Sequence, residues 1–432
     1  MNRRSVELIT ALENGGIHLP AAVDTREVRD RVMEVASLLG DRVVIQKGRQ
    51  LYAGAVAGVI DTGQVRIQIL PKIYESSNDR DNQKKNAEFL FQLLKESGGL
   101  SRGMMSEAQA HIASGRVDVI ETVIYMIARE LETLLVRGVP RRYHPLRETS
   151  PVVRGRIDLP QLMRQGGLVT RGIPVEYAPL QRDNPLTRLL RALATRLQSV
   201  TRSERTRALL SRADHLLHGT TRLPLTPQLV EGVKVGRYEL LWQPFVSFAG
   251  QLVQGRVPNP TGVGHFQAVG WLFPLQLLYQ AVVRKALVQT LLGSPLQLSA
   301  ATRRHMLMSL AGAPVIEANP DYLLSQGESH RLVADAKWKV LEKRGSAHGL
   351  TAADVYQMTA YMARFDVGRG LLLYPHVSWM PDSWAETYEV QGPTPTGRRL
   401  TLGAVDIRGL VSGGAETATA RTKLGDLIRR SL

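Results

Sequence analysis

A chain of 432 residues can bury a sizeable core, with two or three domains as the first expectation, and its 55 basic against 39 acidic residues (net +16) point to a polyanionic partner such as nucleic acid. It contains no cysteine, which excludes disulfide scaffolds, thiolate zinc sites and cysteine nucleophiles. Arg3-Arg4 is followed by no apolar segment, and no run reaches the length of a membrane span, so a cytoplasmic location without a membrane partner is expected.

Residues 1–40 predict a short strand-rich start and then an amphipathic helix, with Val28, Val32, Val35 and Leu39 at helical spacing. Residues 41–73 read as a small β-rich module: Val65-Arg66-Ile67-Gln68-Ile69 alternates, and Asp61-Thr62-Gly63 supplies the turn before it. Residues 75–86 are almost wholly polar and predict a disordered loop. Helices are expected at 87–97, closed by Gly98-Gly99, and at 117–136, where Ile120, Val123, Ile124, Ile127, Leu131 and Leu135 form an apolar stripe.

Between 137 and 171 the composition turns to arginine among Gly and Pro, with Arg141, Arg142, Arg154 and Arg156 in this stretch. Such a surface suits DNA, a protein partner or plain solvation. Helices resume near 185–197 and 204–217. His215 and His218 stand at i, i+3, but no third ligand lies nearby to make a zinc site. Residues 255–264 (G-R-V-P-N-P-T-G-V-G) are the clearest linker. They set the expected division: an N-terminal region 1–255 (β-rich module 41–73, helical and arginine-rich part 87–255), a second domain 256–411, and a tail 412–432.

After the linker, residues 274–292 predict an apolar-striped helix, opened by Pro and stopped by Gly293. Two runs, 322–324 and 332–340, then flank a Gly327-Glu328-Ser329 turn, a hairpin signal. Val333, Asp335, Lys337 and Lys339 share one strand face, and Leu332, Ala334, Ala336 and Trp338 the other. Asp321 and Asp335 are equidistant from residue 328, so pairing about the turn sets them opposite each other. Opposed like charges destabilise a sheet, and a cation between them relieves this; hard oxygen ligands with water suit Mg²⁺. Lys337, on the same face, is placed to orient a water or meet charge on a phosphate. Thr351 to Asp354 reads as a capping box opening a helix to about 365, on which Gln357 and Tyr361 project together and Asp354 lies roughly alongside. Leu371-Leu372-Leu373 reads as a strand buried on both faces. The order helix, strands, helix, strand gives an α/β core within a mixed α+β chain, with its acidic pair at one edge of the sheet.

Pro320-Asp321, Asp335-Ala336-Lys337, Asp354-Val355-Tyr356-Gln357-Met358, Tyr361 and Gly370-Leu371-Leu372-Leu373-Tyr374-Pro375 together resemble the PD-(D/E)xK nuclease core. More narrowly they resemble the McrC family, the nuclease subunit of McrBC restriction systems that defend against phage by cutting DNA with modified cytosine. Leu70-Pro71-Lys72-Ile73, Arg154-Gly155-Arg156-Ile157 and Asp183-Asn184-Pro185-Leu186 belong to the same resemblance, which spans about 43–375. It implies a DNA endonuclease acting on double-stranded DNA, with Mg²⁺ or Mn²⁺ held by Asp321, Asp335 and the backbone carbonyl of Ala336. By the same resemblance Lys337 stands near the attacking water, Gln357 and Tyr361 hold the site or touch the DNA backbone, and Asp354 supports it. Family members usually carry a Phe-Glu pair on the helix before the hairpin, where Leu278-Tyr279-Gln280 stands here, so an amide replaces a carboxylate. The resemblance further implies that residues 1–255 dock on an AAA+ GTPase ring. The chain has no Gly-Lys dipeptide and hence no phosphate loop, so GTP enters only through that partner. Two other readings stay open: a stand-alone repair or mobile-element nuclease, and a catalytically weakened adaptor for DNA or a motor.

Overall fold

The computed structural model describes residues 7–73, 80–98, 118–166, 172–254, 269–299, 306–310, 313–343, 345, 348–391 and 397–432. The chain is mixed α/β and divides into two compact units, residues 1–99 with 272–432, and residues 100–271. This differs from a boundary at 255/256. The stretch 255–264 lies outside the described residues, and residues 1–99 belong with the chain from Leu272 onward. A shared sheet explains the grouping: Glu7–Leu12 runs parallel to Val65–Leu70, which is antiparallel to Val56–Asp61, and Val269–Pro274 completes the order at the far edge.

The expected amphipathic helix is Arg26–Leu39, capped by the Thr25 side chain, with Val28, Val32, Val35 and Leu39 buried. It packs on Val56–Asp61. Val65–Leu70 is buried at all six positions, Arg66 and Gln68 included. Its alternation therefore does not separate core from solvent. The expected polar loop also changes in part: residues 80–86 form the first turns of helix Arg80–Glu96, whose Asn86 is buried and accepts the Ile73 N–H (3.3 Å). Residues 74–79 lie outside the described residues.

The second part of this unit holds the core that follows Leu272. Helix α1 (Leu275–Thr290) precedes strands β1 (Tyr322–Gln326) and β2 (Ser329–Ala336); helix α2 (Ala352–Arg364) and strand β3 (Arg369–Pro375) come next, then β4 (Ala385–Glu389), β5 (Arg399–Val405) and helix α3 (Gly414–Ser431). Together with the short strand Gln297–Leu298 the strands form a six-stranded sheet, in the order Gln297–Leu298, β1, β2, β3, β5, β4. The hairpin β1–β2 is antiparallel, β2–β3 and β3–β5 are parallel, and β4–β5 is antiparallel. Residues 370–375 of β3 are all buried, Leu371, Leu372 and Leu373 among them as their uninterrupted apolar run predicts.

Helix α2 covers one face, its Met358 and Met362 packing with Val333, Leu372 and Leu400. Gly370 permits this approach: a Cβ there would sit 2.8 Å from Met362 Sδ and 3.1 Å from Leu400 Cδ1. Helices α1 and α3 pack against each other, α1 against β2 and α3 against β3 and β5. The tail 412–432 ends, as its Leu424, Leu427 and Ile428 predict, in a helix, and these three residues are buried in the first unit. Apolar residues every three to four positions make such a segment worth burying.

The second unit contains helices Val119–Arg137, Pro185–Val200 and Glu204–Leu216 in mutual contact, with a small sheet of Leu146–Ser150, Ile173–Tyr177 and Arg156–Ile157. Two of the short sequence motifs find structural work here. Asn184 caps Pro185–Val200 in a capping box with Thr187 and donates to the Pro140 carbonyl (3.2 Å). Gly155 has φ +69°, and a Cβ there would lie 2.6 Å from the Glu176 carbonyl oxygen. Among the described residues, no helix is long and apolar enough to cross a membrane.

Candidate active site

The hairpin has the register that symmetry about residue 328 predicts: Tyr322 faces Ala334, Leu323 faces Val333 and Leu324 faces Leu332, so the next pair outward is Asp321 and Asp335. A bulge between Leu324 and Ser325 confines the irregularity to the turn end. The Ala336 N–H donates to Asp321 Oδ2 (2.8 Å), which fixes the upstream carboxylate against the downstream strand.

The strand stops at Ala336 and does not run on to 340. A side chain ends it: Gln276 of α1 donates its amide to the Ala336 carbonyl and accepts the Trp338 N–H (2.6 Å). Lys337 N–H donates to the Leu373 carbonyl (2.8 Å). Lys337 is thus held on both sides, with its ammonium aimed at the acids. It donates to Asp335 (2.9 Å) and to Gln357 Oε1 (2.7 Å), and Asp354 stands 3.7 Å away. The capping box at Thr351 and Asp354 is present, and Gln357 in turn donates to the Tyr361 hydroxyl (3.0 Å). Tyr361 donates to the Asn319 carbonyl (3.3 Å), which ties α2 to the segment entering the hairpin.

The electrostatics follow from this packing. Burial and the facing Asp335 raise the Asp321 carboxyl to about 6. Burial also raises Asp335, against the opposing effect of its bond from Lys337. Burial alone would lower Lys337, but Asp335, Asp354 and Asp321 outweigh it and hold the ammonium protonated. Lys337 is therefore a fixed cation and not a base. Gln280 donates its side-chain amide to both oxygens of Asp321 (2.9 Å each), and its backbone carbonyl accepts the Tyr322 hydroxyl (2.8 Å). The Tyr374 hydroxyl is buried without a hydrogen-bond partner, within electrostatic reach of Asp354 and Asp335.

These residues fit a hard divalent cation. Two mutually repelling carboxylates share a half-buried site, and the orphaned Tyr374 hydroxyl lacks the partner that a coordinated water would supply. Among the described residues no three His, Cys, Asp or Glu converge as a complete cage. Asp321 and Asp335 would accordingly need carbonyl and water oxygens, for which the Ala336 carbonyl is adjacent in chain.

Asp321, Asp335, Lys337, Asp354, Gln357, Tyr361, Gln280 and the Ala336 carbonyl thus lie in one cluster. Arg141, Arg142, Arg154 and Arg156 belong to the other unit. Arg142 makes a paired fork to Glu239 (2.8 and 2.5 Å) and donates to the Lys234 carbonyl (2.7 Å), while Arg141, Arg154 and Arg156 are exposed. Gln276 and Tyr374 carried no role in the sequence reading. Gln276 stands one turn before Gln280, and that i, i+4 pair of amides was the available signal.

The fold is that of a mixed α/β protein, with the acidic pair at the end of the β1–β2 hairpin. The chain belongs to the McrBC 5-methylcytosine restriction system component family, whose profile matches residues 51–375. Among solved structures it is similar to a chain of the refined half-complex from a tetradecameric assembly of Thermococcus gammatolerans McrB AAA+ hexamers with bound McrC, at 17% identity and TM-score 0.61, covering 99% of this chain and 100% of that one. The cryo-EM structure of the Thermococcus gammatolerans McrBC complex matches at 18% identity and TM-score 0.49, covering 69% of this chain and 90% of that one. No curated protein matches the chain.

Proposed function

We propose that this restriction-system component is the nuclease subunit, a metal-dependent DNA endonuclease working with an AAA+ GTPase ring. The opposed pair Asp321 and Asp335, with Lys337 fixed beside them, carries the reading. A bound Mg²⁺ or Mn²⁺ supplies an activated water and neutralises charge at phosphorus. Asp321 and Asp335 would hold it, with the Ala336 carbonyl, which also accepts the Gln276 amide, as a further ligand. Lys337 keeps its proton and offers N–H groups toward the attacked phosphate, while Gln357 and Tyr361 keep its amine from swinging away. The arginine-rich unit and the N-terminal module supply docking and DNA contacts, Arg141, Arg154 and Arg156 being exposed for either. The similar Thermococcus assembly pairs McrB AAA+ hexamers with bound McrC, and a partner of that kind brings the GTP site this chain lacks. Cytoplasmic action on double-stranded DNA follows from that role.

One observation favours a second reading. The Gln280 amide occupies both oxygens of Asp321, as it would in an adaptor whose nuclease has weakened. The test measures melting with and without Mg²⁺ or Mn²⁺, and nicking of modified DNA with the partner and GTP. Metal should raise the melting temperature of the wild type and barely that of Asp335→Asn. Lys337→Ala should fold but cut roughly a hundredfold more slowly. Equal metal shifts in wild type and Asp335→Asn, with no nicking, would leave the adaptor.

A further inference from the structure

Within the first unit a cavity of about 620 Å³ opens one residue beyond Lys337. Its lining includes Glu13, Lys72, Trp338, Lys339, His376 and Arg408. The strands explain why these residues meet. β2, β3 and β5 are parallel and end at Ala336, Pro375 and Val405, directly before the 338–340, 375–378 and Arg408 parts of the wall. Glu7–Leu12 and Val65–Leu70 are likewise parallel, and they end directly before Glu13 and Asn14 and before Lys72 and Ile73. Five strands of two sheets therefore deliver their carboxyl ends to one cavity, the place where open α/β sheets take ligands.

Three basic side chains, Lys72, Lys339 and Arg408, line it with one carboxylate. That carboxylate is tucked into the wall: Glu13 is 5% exposed and accepts the Trp338 indole N–H (2.7 Å) and the Lys72 backbone N–H (3.0 Å). By side-chain count the lining is cationic, three to one, and Lys339 also donates to the Gly349 carbonyl. The volume suits one or two nucleotide units and excludes a duplex.

We propose that this cavity receives the nucleotide next to the scissile phosphodiester, its phosphate met by Lys72 and Arg408 and its sugar and base lying along Trp338. The proposal rests on the nuclease reading above and gives the N-terminal module a share in the substrate path through Lys72. The shared chemistry is a nucleoside phosphate, and the committed source is the DNA strand, not a free nucleotide.

The test uses the full chain, Ca²⁺ to hold the metal site without cutting, and DNA duplexes carrying 5-iododeoxyuridine at successive positions. Irradiation should cross-link the protein at 338–340 or 375–378 from one or two positions only, with mass spectrometry locating the join. Lys72→Ala and Arg408→Ala should each cut that yield severalfold and reduce the salt slope of DNA binding by about one. Lys72 is exposed, so its variant stays informative if Arg408→Ala misfolds. Cross-links solely elsewhere, or both variants matching wild type, would overturn the proposal. So would loss of the cross-link to millimolar GTP or deoxymononucleotide, which would mark a free-nucleotide pocket. Because the metal-induced melting shift is read separately, failure here is distinguishable from failure of the nuclease reading.

Discussion

At the scale of single residues, Gln280 decides how the acidic pair behaves without metal. Its amide gives Asp321 two N–H contacts that a glutamate would replace with a third negative charge. Gln280→Glu should therefore lower the melting temperature of the metal-free protein and enlarge the metal-induced rise, so that the two variants converge at saturating Mg²⁺. Calorimetry at several metal concentrations reads both slopes; a loss of stability that metal does not restore would remove position 280 from the site. The Asp321 carboxyl adds a pH dependence. Its folded value of about 6 exceeds its ordinary 3.8, so its stabilising share is full below 3.8 and is lost as pH rises through 6. For the metal-free protein that loss is of order 1 kcal/mol, since solvent still reaches the group. Metal competes with the same proton, so the metal-induced shift should grow between pH 5 and 7, and in Asp321→Asn both trends should flatten.

At the scale of elements, what could be read in the sequence was what local chemistry dictates. The hairpin register followed from the turn at residue 328 and the two-residue period, and the α2 start from Thr351 and Asp354. The burial of Leu371, Leu372 and Leu373 followed from an apolar run with no alternation. The end of β2 was not legible, because it is set by Gln276, 60 residues upstream, whose amide replaces a strand partner. Nor was the start of Arg80–Glu96, where polar composition suggested disorder and tertiary contact made helix. Packing between elements yields its own prediction. The α2 face meets the sheet at Gly370, where a valine would have to displace Met362, Met358 and Leu400. Gly370→Val should cost about 1–3 kcal/mol in denaturant unfolding and loosen Gln357 over Lys337, reducing cleavage as well. Unchanged stability would mean that α2 does not press on β3.

For the whole molecule, the division into 1–99 with 272–432 and 100–271 changes which fragments are expected to fold. A chain cut at residue 255 leaves Glu7–Leu12, Val56–Asp61 and Val65–Leu70 without Val269–Pro274 at the sheet's far edge and without α1, on which Arg80–Glu96 packs. Replacing residues 100–268 with a flexible linker, which keeps Val269–Pro274, should instead preserve cooperative melting and its metal shift, while abolishing the stimulation of the partner's GTP turnover that the proposed function implies. Turnover still stimulated by the excised form would assign docking to the first unit. This division was the least legible feature in the sequence, because strand pairing across some 170 intervening residues leaves no local pattern, and the Gly- and Pro-rich stretch 255–264 offered a more visible boundary.

The same discontinuity sets a timetable for synthesis. When residue 99 leaves the ribosome, the strands and helices that complete its unit are still about 170 residues away. At ordinary elongation rates that is a wait of roughly ten to thirty seconds with open sheet edges. The acidic pair meets Lys337 only late, and α3, which covers the opposite face of the sheet, emerges later still. On the nuclease reading proposed above, a translation product that stops before residue 321 lacks both members of the acidic pair and could not hold the metal.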